Sequence, residues 1–329
     1  MFLTRHSVVG AAVRTVVRVA VMLALAQGWM AGALAQDYPS RLIRVVVPQS
    51  PGSAPDLVAR IAAPEMGRAL GQALVVENRP GADYTIGYEL VAKQSPADGY
   101  TLALVNVEVL ALMPMTAKDL RFDPLADLAP VAGLVEGRYI LSTSSRQPWK
   151  SFAELVAHAR ANPGKLSFGS PSHQGRLSAL AITQAFGLEM LYVPYSAAGA
   201  FFQGVASGDV DMGFVAEATA VGMGERMRVL AVTGRERTPV FRDAPTFAEV
   251  GLPRLRGISF SLNVRAGTQR AVIERLQSAA SRTLQQPEVK SQYAKIGMDI
   301  INDGAEAAAA RFAETAKGYA EIAKKAGLQ

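Results

Sequence analysis

Short apolar runs recur along this chain, each closed by proline, glycine or asparagine and followed by a stretch of helical period. The clearest is Arg44–Arg60, RVVVPQSPGSAPDLVAR. Its first four residues predict a strand buried on both faces, ended at Pro48 because proline cannot donate to a ladder. Gln49–Ser53 then supplies small and turn-forming residues, and Pro55 and Asp56 stand where a helix should open. A helix start of this kind offers unpaired N–H groups and a favourable dipole to an anion. It equally fits an ordinary βα turn, and the stretch alone leaves both readings open.

The same alternation continues. A helix over Asp56–Leu70 stops at Gly71, a strand covers Ala73–Glu77, and the loop Asn78–Asp83 leads to a helix over Thr85–Gln94 and a strand over Thr101–Val105. The acidic, proline-punctuated Leu120–Pro130 precedes Val131–Leu141, which reads as a strand pair or a crossing segment. Ser151-Phe152-Ala153-Glu154 is a capping box opening a helix to Ala161. Strand Leu166–Gly169, loop Ser170–Gly175 and helix Leu177–Phe186 repeat the opening device. Strands Met190–Pro194, Val210–Phe214 and Arg228–Val232, with a helix over Gly199–Ser207, complete a second unit. Strand Ile258–Val264, helices Gln269–Leu284 and Pro287–Lys295, strand Asp299–Ile301 and the alanine-rich Ala305–Ala326 end the chain. Strand and helix in turn predict parallel α/β sheets, with crossings near residues 140 and 260.

Residues 1–35 hold Arg5, Arg14 and Arg18 with no acid, then the apolar run Val19–Ala26 and Ala33-Leu34-Ala35. That is the pattern of a cleaved Sec-type signal peptide, and the run falls short of the ~20 residues a membrane span needs. Losing three arginines lowers the formal net charge of +6 to +3. No basic block interleaved with aromatics remains, so nucleic acid is not an expected partner. The chain has no cysteine, which excludes disulfides and thiolate chemistry. Outside the leader the histidines are His158 and His173. A serine hydrolase built on Ser170 and His173 is the remote enzymatic alternative, but Gly169–Gly175 is not G-x-S-x-G and suits a binding loop better. No metal or dinucleotide motif appears, so no cofactor is expected.

VVVPQSPGSAPDLVAR, LGQALVVENRPGADYTIG, PADGYTLAL, KSFAELVAHARANPGKLSFGS, VPYSAAGA, GDVDMGF, RVLAVTGRERTPVFRDAPTFAEVGLP and RAGT together resemble the Bug family of periplasmic solute receptors, from Tyr38 to Leu328. The resemblance implies a non-catalytic, monomeric, two-lobed α/β binding protein of the type II, Venus flytrap kind, each lobe a mainly parallel sheet flanked by helices. It implies residues 36–140 as the first part of lobe 1, 141–259 as lobe 2 and 260–329 as the return to lobe 1. A small carboxylate-bearing solute would sit between the lobes in the periplasm. Its destination would be the membrane subunits of a tripartite tricarboxylate transporter or, alternatively, a sensor histidine kinase.

Carried over residue by residue, the resemblance makes Gly52, Ser53, Tyr84, Asn106, Ser170, Ser172, Tyr195 and Ser196 the expected ligand contacts. Asp56 is expected to orient the first helix. The departures from the family pattern cluster in these loops: Ser53 replaces a second glycine, and Asp83, Glu108 and Glu217 add negative charge. Acids beside an anion site would select an amphoteric solute such as an amino acid, provided that they line the cleft.

Overall fold

The computed structural model describes residues 38–117, 119–195, 197–234, 236–252 and 255–327, so the expected leader and Ser196 lie outside the described residues. The apolar runs form two sheets. The first holds β1 (Ile43–Val47), β2 (Leu74–Asn78), β3 (Thr101–Asn106), β4 (Leu128–Gly137), β10 (Ile258–Arg265) and β11 (Met298–Gly304), in the order β11-β4-β10-β3-β1-β2. The second holds β5 (Tyr139–Ser144), β6 (Leu166–Ser170), β7 (Met190–Pro194), β8 (Met212–Ala216) and β9 (Met227–Val232), in the order β7-β6-β8-β5-β9. The helices are α1 (Ala54–Leu70), α2 (Thr85–Glu89, continued by a π-helical turn over Leu90–Gln94), α3 (Val107–Thr116), α4 (Phe152–Ala161), α5 (His173–Phe186), α6 (Ala198–Ser207), α7 (Glu217–Met223), α8 (Arg270–Gln285), α9 (Pro287–Lys295) and α10 (Ala305–Lys325).

Both sheets are mixed rather than mainly parallel. β1 pairs in parallel with β2 and β3, and β6 with β7 and β8, as strand-helix-strand units require. The antiparallel pairs are those of β10 with β3 and β4, β11 with β4, and β5 with β8 and β9. A strand that has just crossed from the other sheet arrives without a crossover helix, so it is free to run antiparallel.

Only Arg138 separates β4 from β5, and the return crossing runs from Val232 to Ile258. The two crossings are tied together: Tyr139 N–H donates to Thr233 Oγ1 at 2.8 Å, and Thr233 N–H to the Tyr139 carbonyl at 2.9 Å. Gly257 is needed where they touch, because a Cβ there would stand 2.0 Å from the Gly137 carbonyl oxygen.

Helix α3 has no counterpart in the sequence reading. VEVLALMPMT is buried from Val107 to Met113, so it shows no polar face and no helical period, and Pro114 near its end looks like a breaker. It packs in one cluster with Tyr88, Phe312, Tyr319 and Leu177, the last contributed by α5 of the second lobe. Among the described residues no helix is long and apolar enough to cross a membrane.

Candidate functional site

In each lobe the helices that follow the parallel strands open at the carboxyl ends of those strands, the usual place for ligands in α/β sheets. At the start of α1, Ser53 occupies the N-cap with extended backbone, but its hydroxyl makes no cap bond; Ser53 Oγ is buried and has no partner among the described residues. Asp56 stabilises this turn instead. Its carboxylate accepts from Gly52 N–H at 2.9 Å, Arg60 Nε at 3.0 Å and Asn78 Nδ2 at 2.9 Å. Burial pushes the Asp56 carboxyl up, but hydrogen bonds from Arg60, Gly52 and Asn78 outweigh it and hold the group below its ordinary value. Gly52, expected to bring its backbone to a ligand, therefore has its N–H committed to Asp56.

Ala82, Asp83 and Tyr84 precede α2 with φ of 44°, 47° and 74°, three successive left-handed residues without glycine. Asp83 is exposed, while Tyr84 packs partly into the first lobe's core. Asn106 caps α3: its Oδ1 accepts from Val109 N–H at 3.1 Å, and its own N–H donates to the Tyr88 hydroxyl at 3.0 Å. Glu108, expected as a possible charge-selective acid of a cleft-lining loop, lies in the first turn of α3 with 0% exposure. Its two oxygens accept from Ser259 N–H at 2.6 Å and Ser259 Oγ at 2.7 Å. Burial pushes this carboxyl up to about 7, against the lowering effect of the Ser259 bonds and the Arg311 charge.

In the second lobe, Ser172 caps α5 by accepting from Gly175 N–H at 3.1 Å. Ser170 Oγ donates to the Ser172 carbonyl at 2.8 Å and accepts from Ser172 N–H at 3.1 Å, so it shapes this loop. Its hydroxyl proton is on backbone rather than on His173, which is exposed at the first position of α5. Tyr195 turns into its own lobe, its ring edge-on to Phe201 and its hydroxyl over Gly204, where a Cβ would stand 2.3 Å from it. Ala197 to Ala200, at the start of α6, is exposed. Glu217 is tied to the crossing: it accepts from Thr238 Oγ1 at 2.6 Å and lies 3.6 Å from Arg138 Nη1, whose Nη2 pairs with Asp299 at 2.6 Å.

The lobes meet at Tyr139, which the sequence reading passed over. Its hydroxyl is held well above the ordinary range by burial first and by the nearby Glu108 of α3 and Tyr84 ahead of α2, and it lies near Ser172 at the start of α5. Gln174 Nε2 donates to the Gly257 carbonyl at 3.0 Å, and Gln174 lies near the Tyr319 hydroxyl of α10. Three expected residues, Tyr84, Glu108 and Ser172, thus converge around one ring next to the crossing strands. A model of the tripartite tricarboxylate transporter family receptor matches residues 58–328. The chain belongs to that family.

Two relatives of this receptor cover it almost end to end. The UPF0065 protein in gbd 5'region of Cupriavidus necator is 32% identical over 91% of each chain. BugT of Bordetella pertussis is 29% identical, over 92% of this chain and 94% of its own. Among solved structures, a Rhodopseudomonas palustris protein with adipate is similar at a TM-score of 0.70 and 27% identity, over 88% of this chain and 99% of that one. MatC from the same organism, with bound malate, is similar at 0.66 and 26%, over 87% and 99%. The receptor's fold is therefore the two-lobed periplasmic binding protein fold.

Proposed function

We propose that this receptor captures a small dicarboxylate between its two lobes in the periplasm, after removal of residues 1–35, and presents it as a monomer to the membrane subunits of a tripartite transporter. The chain up to the end of β4 and from the start of β10 onward forms one lobe and β5 to β9 with their helices the other, and the crossings at Arg138 and between β9 and β10 serve as the hinge. The observation that carries this reading is the set of helix starts from both lobes at the carboxyl ends of parallel strands, four of them, α1, α2, α6 and α7, without a side-chain cap. Uncapped N–H groups and the free Ser53 hydroxyl suit carboxylate oxygens, directly or through water. Adipate and malate in two similar proteins support the same ligand class.

A plain carboxylate is favoured over an amphoteric solute. Glu108 and Glu217 have their oxygens on protein partners, which leaves Asp83, exposed beside Tyr84, as the one of the three acids without a hydrogen-bond partner among the described residues. A thermal-shift screen of residues 36–329 against adipate, malate, pyridine carboxylates and amino acids tests the reading. A true solute at 100 times its Kd adds about 2.7 kcal/mol. Stabilisation by a dicarboxylate is expected; stabilisation by amino acids alone contradicts the ligand class.

A further inference from the structure

Glu108 is fully buried, yet it belongs to neither a salt bridge nor the outer surface. Its carboxyl faces Ser259, at the second residue of β10, where the return crossing rejoins the first sheet. The cation whose charge reaches it is Arg311 on α10, and that guanidinium is turned to other carboxylates, its Nη1 making no hydrogen bond among the described residues. Its Nε and Nη2 donate to Asp303 of β11 at 2.8 and 2.6 Å, and its Nη1 lies 3.6 Å from Glu136 of β4. With Asp303 and Glu136, this interior group holds one more carboxylate than cation before Glu108 is counted. The other titratable groups facing Glu108 are phenols: Tyr88 and Tyr84 from α2, Tyr139 from β5 and Tyr319 from α10. From α5 come only the neutral Gln174 and Leu177.

A third ionised carboxylate here would have no counter-charge of its own in a low-dielectric interior. The Ser259 pair accommodates the neutral acid without loss of a bond. One oxygen still accepts the Ser259 N–H, and the other, carrying the proton, donates to Ser259 Oγ in place of accepting from it. The cover over Glu108 comes from both lobes, because α5 packs on α3 and α10 and its Gln174 bonds the Gly257 carbonyl.

We propose that Glu108 is a positioning residue for lobe closure: it is held as a neutral acid against Ser259 while α5 covers it, and ionises when α5 moves away. This rests on the hinged-receptor reading and adds a proton to it. Closing takes up one proton near neutrality, so rising pH favours the open form. The open-to-closed ratio grows by at most about tenfold per pH unit between the ordinary carboxylate value of the open form and the raised value of the closed form, and levels off above it.

The chain's lack of cysteine permits a clean test. Val75→Cys on β2 and Leu191→Cys on β7, both exposed and one in each lobe, take a pair of spin labels for distance measurement from pH 5 to 8.5. The side-chain carboxyl carbon of Glu108, assigned by its disappearance in E108Q, is followed by NMR over the same range. The expected result is that the lobes separate and the carboxyl ionises together near neutrality, and that E108Q removes the pH dependence of the distance. An ionised carboxyl throughout, a titration with no change in distance, or a pH response that survives E108Q overturns the proposal. Should E108Q fail to fold, S259A decides: losing the hydroxyl raises the midpoint, and an unmoved midpoint overturns the proposal. A label pair that closes with adipate but ignores pH contradicts this inference alone; one that follows pH but no carboxylate contradicts the solute reading alone.

Discussion

Ser53 and Asp56 show how far a few residues divide structure from binding. Asp56 ties the loop to the first turn by accepting from Gly52 N–H, while the Ser53 hydroxyl at the N-cap bonds no helix N–H and is left buried and unpartnered among the described residues. Ser53→Ala is therefore expected to leave stability unchanged within roughly 0.5 kcal/mol and to weaken carboxylate binding by about 1 kcal/mol, measured by urea unfolding and calorimetry. Asp56→Ala is expected to cost about 1–2 kcal/mol of stability at pH 7. Its folded-state carboxyl lies below its ordinary value of 3.8, so its contribution is present above that value and lost as the pH falls through the folded one. The difference between Asp56→Ala and the parent protein should shrink in urea unfolding at pH 3. The sequence signalled both residues through the Pro-Asp helix start, but it could not show that Gly52 N–H was already taken. Nor could it show that Glu108 faces Ser259, because that contact joins residues 151 positions apart.

At the scale of elements, strands flanked by turn residues were legible, since β-branched runs and prolines mark them locally. Helix α3 was hidden because burial on nearly all sides removes the periodicity that identifies a helix. The antiparallel half of each sheet was hidden because strand direction depends on where the chain crosses between lobes. Helix α10, legible as an alanine-rich tail, carries more than its composition suggests. Arg311, 7% exposed, holds Asp303 and lies against Glu136. Arg311→Ala leaves two carboxylates facing each other and is expected to cost on the order of 3 kcal/mol in urea unfolding. A loss below about 1 kcal/mol would mean that water replaces the guanidinium without strain.

For the molecule as a whole, the two crossings, the inter-lobe bonds of α5 and the cluster around Tyr139 describe lobes held together. Gln184 Nε2 donates to the Ile322 carbonyl at 3.0 Å, and Arg256 pairs with Glu314 at 3.1 Å, adding to that contact on the α10 side. The family was legible in the sequence because its turns and helix starts are written in short motifs. The solute was not, since the backbone N–H groups proposed to bind it leave no residue signature. The measurement that tests the account most directly is the distance between labels at Val75→Cys and Leu191→Cys at fixed pH, without and with adipate or malate in excess. The account predicts a shift to one shorter, narrower distance with a dicarboxylate and none with an uncharged diol of equal length. An unchanged distribution with every carboxylate, in protein unfolded and refolded to remove any bound solute, would contradict it.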